Sequence, residues 1–205
     1  MKKILVIILL LTPIVLYSQN ADIVILKEIN LNRNKQFDGI FRGITNSASP
    51  VAYGTVILLL GIAFYKKDKL IRQRSIYIGA SVITAGLITT ILKYTIHRPR
   101  PFITYPFLEK VTSGDSPSFP SGHTTDAFVI AAALSLAFPK WYIIIPSYIW
   151  AFAVAYSRMC LGVHYPSDVI IATIIGAGSA LLWYKGLDIL HKKNENTIML
   201  TNNEK

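Results

Sequence analysis

Two histidines in this 205-residue chain stand in company that gives an imidazole something to do. Asp168 follows His164 at a spacing of four, with Pro166 between them. Proline favours the first turn of a helix, so the sequence predicts His164 just before a helix and Asp168 within its first turn. The carboxylate then reaches back to the ring. Such a contact on one ring nitrogen fixes the tautomer and raises the nucleophilicity of the other. His123 closes the run Pro120-Ser121-Gly122-His123. Ser121 is an N-cap residue type, and a helix start beside glycine offers free backbone N–H groups and a positive dipole end to an anion.

Three cations accompany these histidines. Lys93 and Arg100 are seven residues apart, with Pro99 and Pro101 flanking the arginine, and Arg158 precedes His164 by six. Seven residues is about two helical turns. Because prolines end the helix there, Arg100 is expected to leave it and curl over its end. An arginine can clamp two oxygens of a phosphate while a lysine acts as a point charge. Residue chemistry alone therefore predicts a phosphate pocket containing a His–Asp pair.

The elements that must position these residues are set by composition. The chain is 52% hydrophobic and 16% charged, with a mean hydropathy of +0.44. Soluble domains carry about 25% charged residues, so this chain cannot dress a water-facing surface, and it is too apolar to stay disordered. The net charge of +10 on so apolar a chain points to membranes and anionic lipids, not to nucleic acid. A single cysteine, Cys160, excludes an internal disulfide framework and multi-cysteine metal sites.

Residues 1–18 (Met1-Lys2-Lys3, then an apolar run to Leu16 and Ser18) have the make-up of a secretory signal, or of a first membrane helix if uncleaved. Residues 21–49 are amphipathic and too polar to span, and are expected to form a helical segment along the outer interface or on the bundle. Five apolar stretches follow at 45–65, 76–96, 124–138, 141–157 and 167–184. A span needs about 20 residues, which leaves the third short. The predicted fold is all-α: an integral membrane helical bundle of five spans, six with an uncleaved N-terminus. Its membrane domain covers 19–190, and a polar tail covers 191–205.

Lys66, Lys67, Lys69, Arg72, Arg74, Lys140, Lys185, Lys192 and Lys193 all fall on one side if five spans alternate. The positive-inside rule makes that side cytoplasmic. The opposite, outer side then receives 21–44, 97–123 and 158–166. Lys93, Arg98, Arg100 and Arg158 sit at the outer ends of spans, where topology gives them no role. Ionisable residues at that depth are functional candidates.

These stretches together resemble the three-part signature of the type 2 phosphatidic acid phosphatase family: Lys-x6-Arg-Pro, Pro-Ser-Gly-His and Ser-Arg-x5-His-x3-Asp. Here they are Lys93…Arg100-Pro101, Pro120-Ser121-Gly122-His123 and Ser157-Arg158…His164…Asp168, complete and in order. The resemblance implies a metal-free, cofactor-free phosphoryl transfer in two steps. His164 would form a phosphohistidine with Asp168 orienting it, and His123 would act as general acid and then base. Lys93, Arg100, Ser121, Gly122 and Arg158 would hold the phosphate oxygens. The implied substrates are envelope lipid phosphates: undecaprenyl diphosphate first, lipid A second, then phosphatidylglycerol phosphate and phosphatidic acid. They would be met at the outer face of the cytoplasmic membrane. The family also contains soluble acid phosphatases and vanadium haloperoxidases, which keeps a haloperoxidase-like or broad-specificity acid phosphatase activity as the alternative.

Other readings weigh less. A transporter would place ionisable residues near the midplane between broken helices, and a phosphate-binding module would not need His164 paired with Asp168. His97 and His191 read as structural, and Cys160 as a small buried apolar residue. Gly176-Ala-Gly178 reads as small-residue helix packing. Asp126 is expected to favour the helix dipole, and Arg98 has equal claims as a headgroup contact and as a snorkelling side chain. No feature of the sequence sets an oligomeric state.

Overall fold

The computed structural model describes residues 21–203, with side chains described through Gly186. The signal-like segment 1–18 lies outside the described residues. Every regular element described is helical: α1 (residues 21–31), a 3-10 turn (Lys35–Phe37), α2 (Asp38–Asn46), α3 (Ala48–Tyr65), α4 (Lys69–Ile96), α5 (Pro101–Thr104), α6 (Gly122–Ala137), α7 (Trp141–Cys160) and α8 (Pro166–Asn203).

Local chemistry explains the boundaries. The Asn34 side chain accepts from the backbone N–H of Gln36 at 3.0 Å and starts the 3-10 turn. Asp68 accepts from the N–H of Ile71 at 2.9 Å, so α4 begins at Lys69 rather than at the expected Ile76. It ends where His97 adopts a left-handed conformation (φ 50°) ahead of Pro99. Ser47 keeps helical dihedrals between α2 and α3. Residues 38–46 therefore lead almost straight into the first span instead of lying apart from it.

Four segments are long and apolar enough to cross a membrane: Lys35–Tyr65, Lys69–Thr104, Trp141–Cys160 and Pro166–Gly186. Ile57, Leu58, Ile83, Ile91, Ile149, Phe152, Ile170 and Ile174 point outward from these helices, each more than half exposed. A belt of large aliphatic side chains around the bundle suits hydrocarbon and not water. The fifth expected span, α6, has 16 residues and is about 24 Å long. It needs no lipid-facing length because it is the central helix, packed against α3, α4, α7 and α8.

α6 links two apolar clusters. Val129, Ile130, Ala132 and Ala133 pack with Tyr77, Ile78, Val82 and Ala180. Ala127, Phe128 and Ala131 pack with Ala48, Ala151, Val154 and Val169. Gly176 allows the closest approach, since a Cβ there would lie 2.7 Å from the Thr125 carbonyl oxygen and 2.8 Å from the Val129 nitrogen.

The residues of interest share one end of this bundle. There, α1 is fastened to the connecting segments by Leu26, buried with Leu108 and Tyr165, and by Asn30. The Asn30 amide donates to the carbonyls of Glu109 (3.0 Å) and Cys160 (2.8 Å) and accepts from the Glu109 N–H (2.9 Å). Arg33 adds ion pairs to Asp38 and Glu109 at 2.8 and 2.9 Å. Contacts from Lys35 and then Arg33 hold the Glu109 carboxyl below its usual range.

Candidate active site

α8 starts at Pro166, as its position in the sequence predicts, and this puts His164 in the turn before it and Asp168 in its first turn. Both are buried, at 1% and 0% exposure. His164 Nδ1 stands 3.4 Å from Asp168 Oδ2 and 3.5 Å from Ser118 Oγ. A carboxylate only accepts, so the proton belongs on Nδ1, leaving Nε2 with its lone pair. Asp168 is itself held on every side. Ser118 Oγ and the Tyr165 N–H donate to Oδ2 at 2.5 and 3.0 Å, and Arg98 Nη1 donates to Oδ1 at 2.7 Å. Burial pushes the His164 imidazole down to about 3, so the ring is neutral at physiological pH.

His164 Nε2 faces Arg100 Nη1 at 3.3 Å. Arg100 forms the N-cap of α5, having left α4 as expected. Its fork is fixed by Nε donating to the Ser116 carbonyl (2.7 Å) and Nη1 to the Val163 carbonyl (3.0 Å). Gly114 makes room for it, because a Cβ at that position would fall 2.7 Å from Nη1. Lys93 Nζ donates to the Pro117 carbonyl at 2.6 Å. Arg158, 2% exposed, donates from Nη1 to Thr45 Oγ1 at 2.8 Å. Its buried Nε finds no partner among the described residues. A buried guanidinium with a spare donor is a place for an anion.

One cavity of about 300 Å³ is walled by Lys93, Arg100, Arg158, His123, His164 and Gly122, together with Ser49, the segment 113–116 and Asp126. Six of the eight residues singled out in the sequence thus line a common space. Asp168 and Ser121 lie behind it, fully buried. Ser121 does occupy the N-cap position of α6, yet its hydroxyl caps no backbone group. Instead it accepts from Thr124 Oγ1 at 2.9 Å, while its N–H donates to the Asp168 carbonyl at 3.2 Å. Ser121 therefore ties the start of α6 to the start of α8.

This arrangement gathers three cations, two imidazoles and the first residue of α6 around one cavity at the end of a bundle of membrane-length helices. Residues 74–191, more than half of the chain, match the PAP2 superfamily. The chain belongs to the PAP2 superfamily. It is similar to lipid A 1-phosphatase of Rhizobium etli, with 29% identity over 163 residues covering 72% of this chain and 69% of the relative. It is also similar to undecaprenyl-diphosphatase BcrC of Bacillus subtilis, with 27% identity covering 78% and 79%. The crystal structure of Aquifex aeolicus LpxE superposes with a TM-score of 0.71 at 25% identity, covering 80% of this chain and 95% of that one. The chain is accordingly a multi-pass membrane phosphatase of the lipid phosphatase type.

Several residues that shape this PAP2 site carry no sequence signal of their own. Ser118 was visible only as one serine among several before the Pro-Ser-Gly-His run. Arg98 touches no part of the cavity. It pairs with Asp168 and, through Nη2 at 2.8 Å, with Asp22, lying 3.9 Å over the Tyr165 ring. Asp126, expected to serve the helix dipole, instead lines the cavity and accepts from Ser49 Oγ at 2.7 Å. His97 caps α4 and stacks edge-on against Tyr94. Among the described residues no three metal-ligating side chains cluster.

Proposed function

We propose that this chain hydrolyses a lipid phosphate or diphosphate at the outer face of the cytoplasmic membrane through a phosphohistidine on His164. The observation that carries the reading is His164 Nε2 beside Arg100 Nη1, 3.3 Å apart in a cation-walled cavity. A phosphate oxygen drawn to Arg100, Lys93 and the spare Arg158 donor brings phosphorus to the free Nε2 lone pair.

The first step forms the Nε2–P bond and breaks the P–O bond to the lipid, and His123 donates its proton to the departing oxygen. In the second step a water, deprotonated by His123, attacks phosphorus and the Nε2–P bond breaks, releasing inorganic phosphate. Asp168 balances the charge on the imidazole, while Lys93, Arg100, Arg158 and the Gly122 amide hold the nonbridging oxygens. Ser121 sets the position of that amide from behind the wall.

Outer-face placement is supported by Lys66, Lys67, Lys69, Arg72, Arg74 and Lys140, which lie at the other ends of the spans. Undecaprenyl diphosphate is taken as first substrate and lipid A second, in line with the activities for which the similar undecaprenyl-diphosphatase BcrC and lipid A 1-phosphatase are named. Phosphate release from undecaprenyl diphosphate, lipid A, phosphatidylglycerol phosphate and phosphatidic acid by the purified protein tests the reading. Turnover of at least one lipid, abolished in His164→Ala, is expected. Wild-type turnover by His164→Ala overturns the mechanism.

A further inference from the structure

Asp22 occupies a position that the two-step transfer leaves unused. It lies on α1, outside the 74–191 stretch matched by the family, yet it is only 3% exposed. Oδ2 accepts from Arg98 Nη2 at 2.8 Å, and Oδ1 accepts from the Ser167 N–H at 2.9 Å. The Ser167 hydroxyl also donates to Asp22 Oδ2. The other guanidinium nitrogen, Nη1, holds Asp168 Oδ1 at 2.7 Å. A continuous series results: carboxylate, guanidinium, carboxylate, imidazole.

Charge counting gives this series a purpose. Asp168 with Arg98 alone is a neutral pair. His164 gains positive charge as the Nε2–P bond forms, the P–O bond to the lipid breaks and His123 protonates the departing oxygen. Beside a neutral pair that charge would find little compensation in a buried site, where charge interactions act at a low effective dielectric. A second carboxylate on the same guanidinium restores a net charge of −1 next to the ring. It also fixes the plane of Arg98, so that Asp168 Oδ1 is engaged and Oδ2 is left to Ser118, Tyr165 and His164. Fastening α1 is not a sufficient account of Asp22, since Leu26 and Asn30 already hold that helix to the same segments.

We propose that Asp22 is a positioning residue for phosphoryl transfer: by sharing Arg98 with Asp168 it keeps the group behind His164 negatively charged. The proposal rests on the phosphohistidine reading given above.

The test compares wild type, Asp22→Asn and Asp22→Glu on whichever panel lipid the wild type dephosphorylates fastest. Asn keeps one acceptor for the Ser167 N–H but removes the charge and puts an amide donor where an oxygen accepted from Arg98 Nη2. Asp22→Glu controls for that difference. Asp22→Asn is expected to lower kcat by about tenfold or more, in the range typical when a supporting partner of a functional side chain is lost. KM stays within about twofold, because Asp22 touches no cavity wall, and Asp22→Glu recovers most of the rate. Wild-type kcat in Asp22→Asn overturns the proposal. So does a loss that Glu does not recover and that comes with a fall in melting temperature, which marks a purely structural residue. A wild-type protein that releases phosphate from no panel lipid overturns the reading beneath it instead.

Discussion

Arg100 Nη1 stands 3.3 Å from His164 Nε2, while the same nitrogen donates to the Val163 carbonyl at 3.0 Å. The guanidinium therefore sits beside the one lone pair that the His–Asp geometry leaves free, so an oxygen held by Arg100 lies next to the nucleophile. The residues around this contact set measurable outcomes.

Arg100→Lys keeps the charge but cannot reproduce the fork held by Ser116 and Val163. We expect kcat/KM for lipid phosphate hydrolysis to fall by about a hundredfold, comparable to loss of one donor to a developing oxyanion. A loss below about threefold would show that charge alone suffices there.

Gly114→Ala places a methyl 2.7 Å from Arg100 Nη1. The arginine must move, so activity is expected to drop at least tenfold while the melting temperature in detergent changes little. Full activity in Gly114→Ala would show that the fork relocates at no cost.

Burial lowers the His164 imidazole from its ordinary 6.5 to about 3. The unfolded chain then binds a proton below pH 6.5 that the folded chain refuses until about 3. Stability is full above pH 6.5 and declines as pH falls through that window, by up to about 1.4 kcal/mol per pH unit. His164→Asn removes this component. Melting temperatures between pH 7 and pH 4.5 should fall less steeply for the variant than for the wild type, and parallel curves would refute the assignment.

Asp126 brings negative charge into a cavity walled by three cations. Asp126→Asn should tighten inhibition by inorganic phosphate by about threefold to tenfold at low ionic strength, with the difference shrinking as salt is added. An unchanged inhibition constant would place the carboxylate outside the phosphate's field.

Lys110→Cys and Lys67→Cys lie at opposite ends of the bundle, in a chain whose native Cys160 is buried. A membrane-impermeant thiol reagent added to intact cells should label the first and spare the second. The reverse pattern would invert the topology.

Much of the site was legible because its chemistry is written in short local spacings. Pro166 fixes where α8 begins and so delivers His164 and Asp168 together. Prolines around Arg100 free it from α4 to reach the pocket. What escaped detection depends on tertiary approach between distant segments. Asp22 and Arg98 are 76 positions apart, as are Asp126 and Ser49 by 77, with nothing local to announce either pair. The five apolar stretches were likewise recognisable by composition. That the shortest forms the centre was not, because burial by protein and burial by lipid select similar side chains.

The central placement of α6 has a mechanical corollary. The helix bearing His123 is enclosed by α3, α4, α7 and α8, so its height is fixed by side-chain packing and not by acyl chains. Hydrophobic mismatch with a thicker or thinner bilayer acts first on the enclosing helices, which tilt at small cost. His164 precedes α8, one of those enclosing helices, so its spacing from His123 depends on the places where α8 is fastened to α6: the Ser121 N–H on the Asp168 carbonyl and the close approach at Gly176.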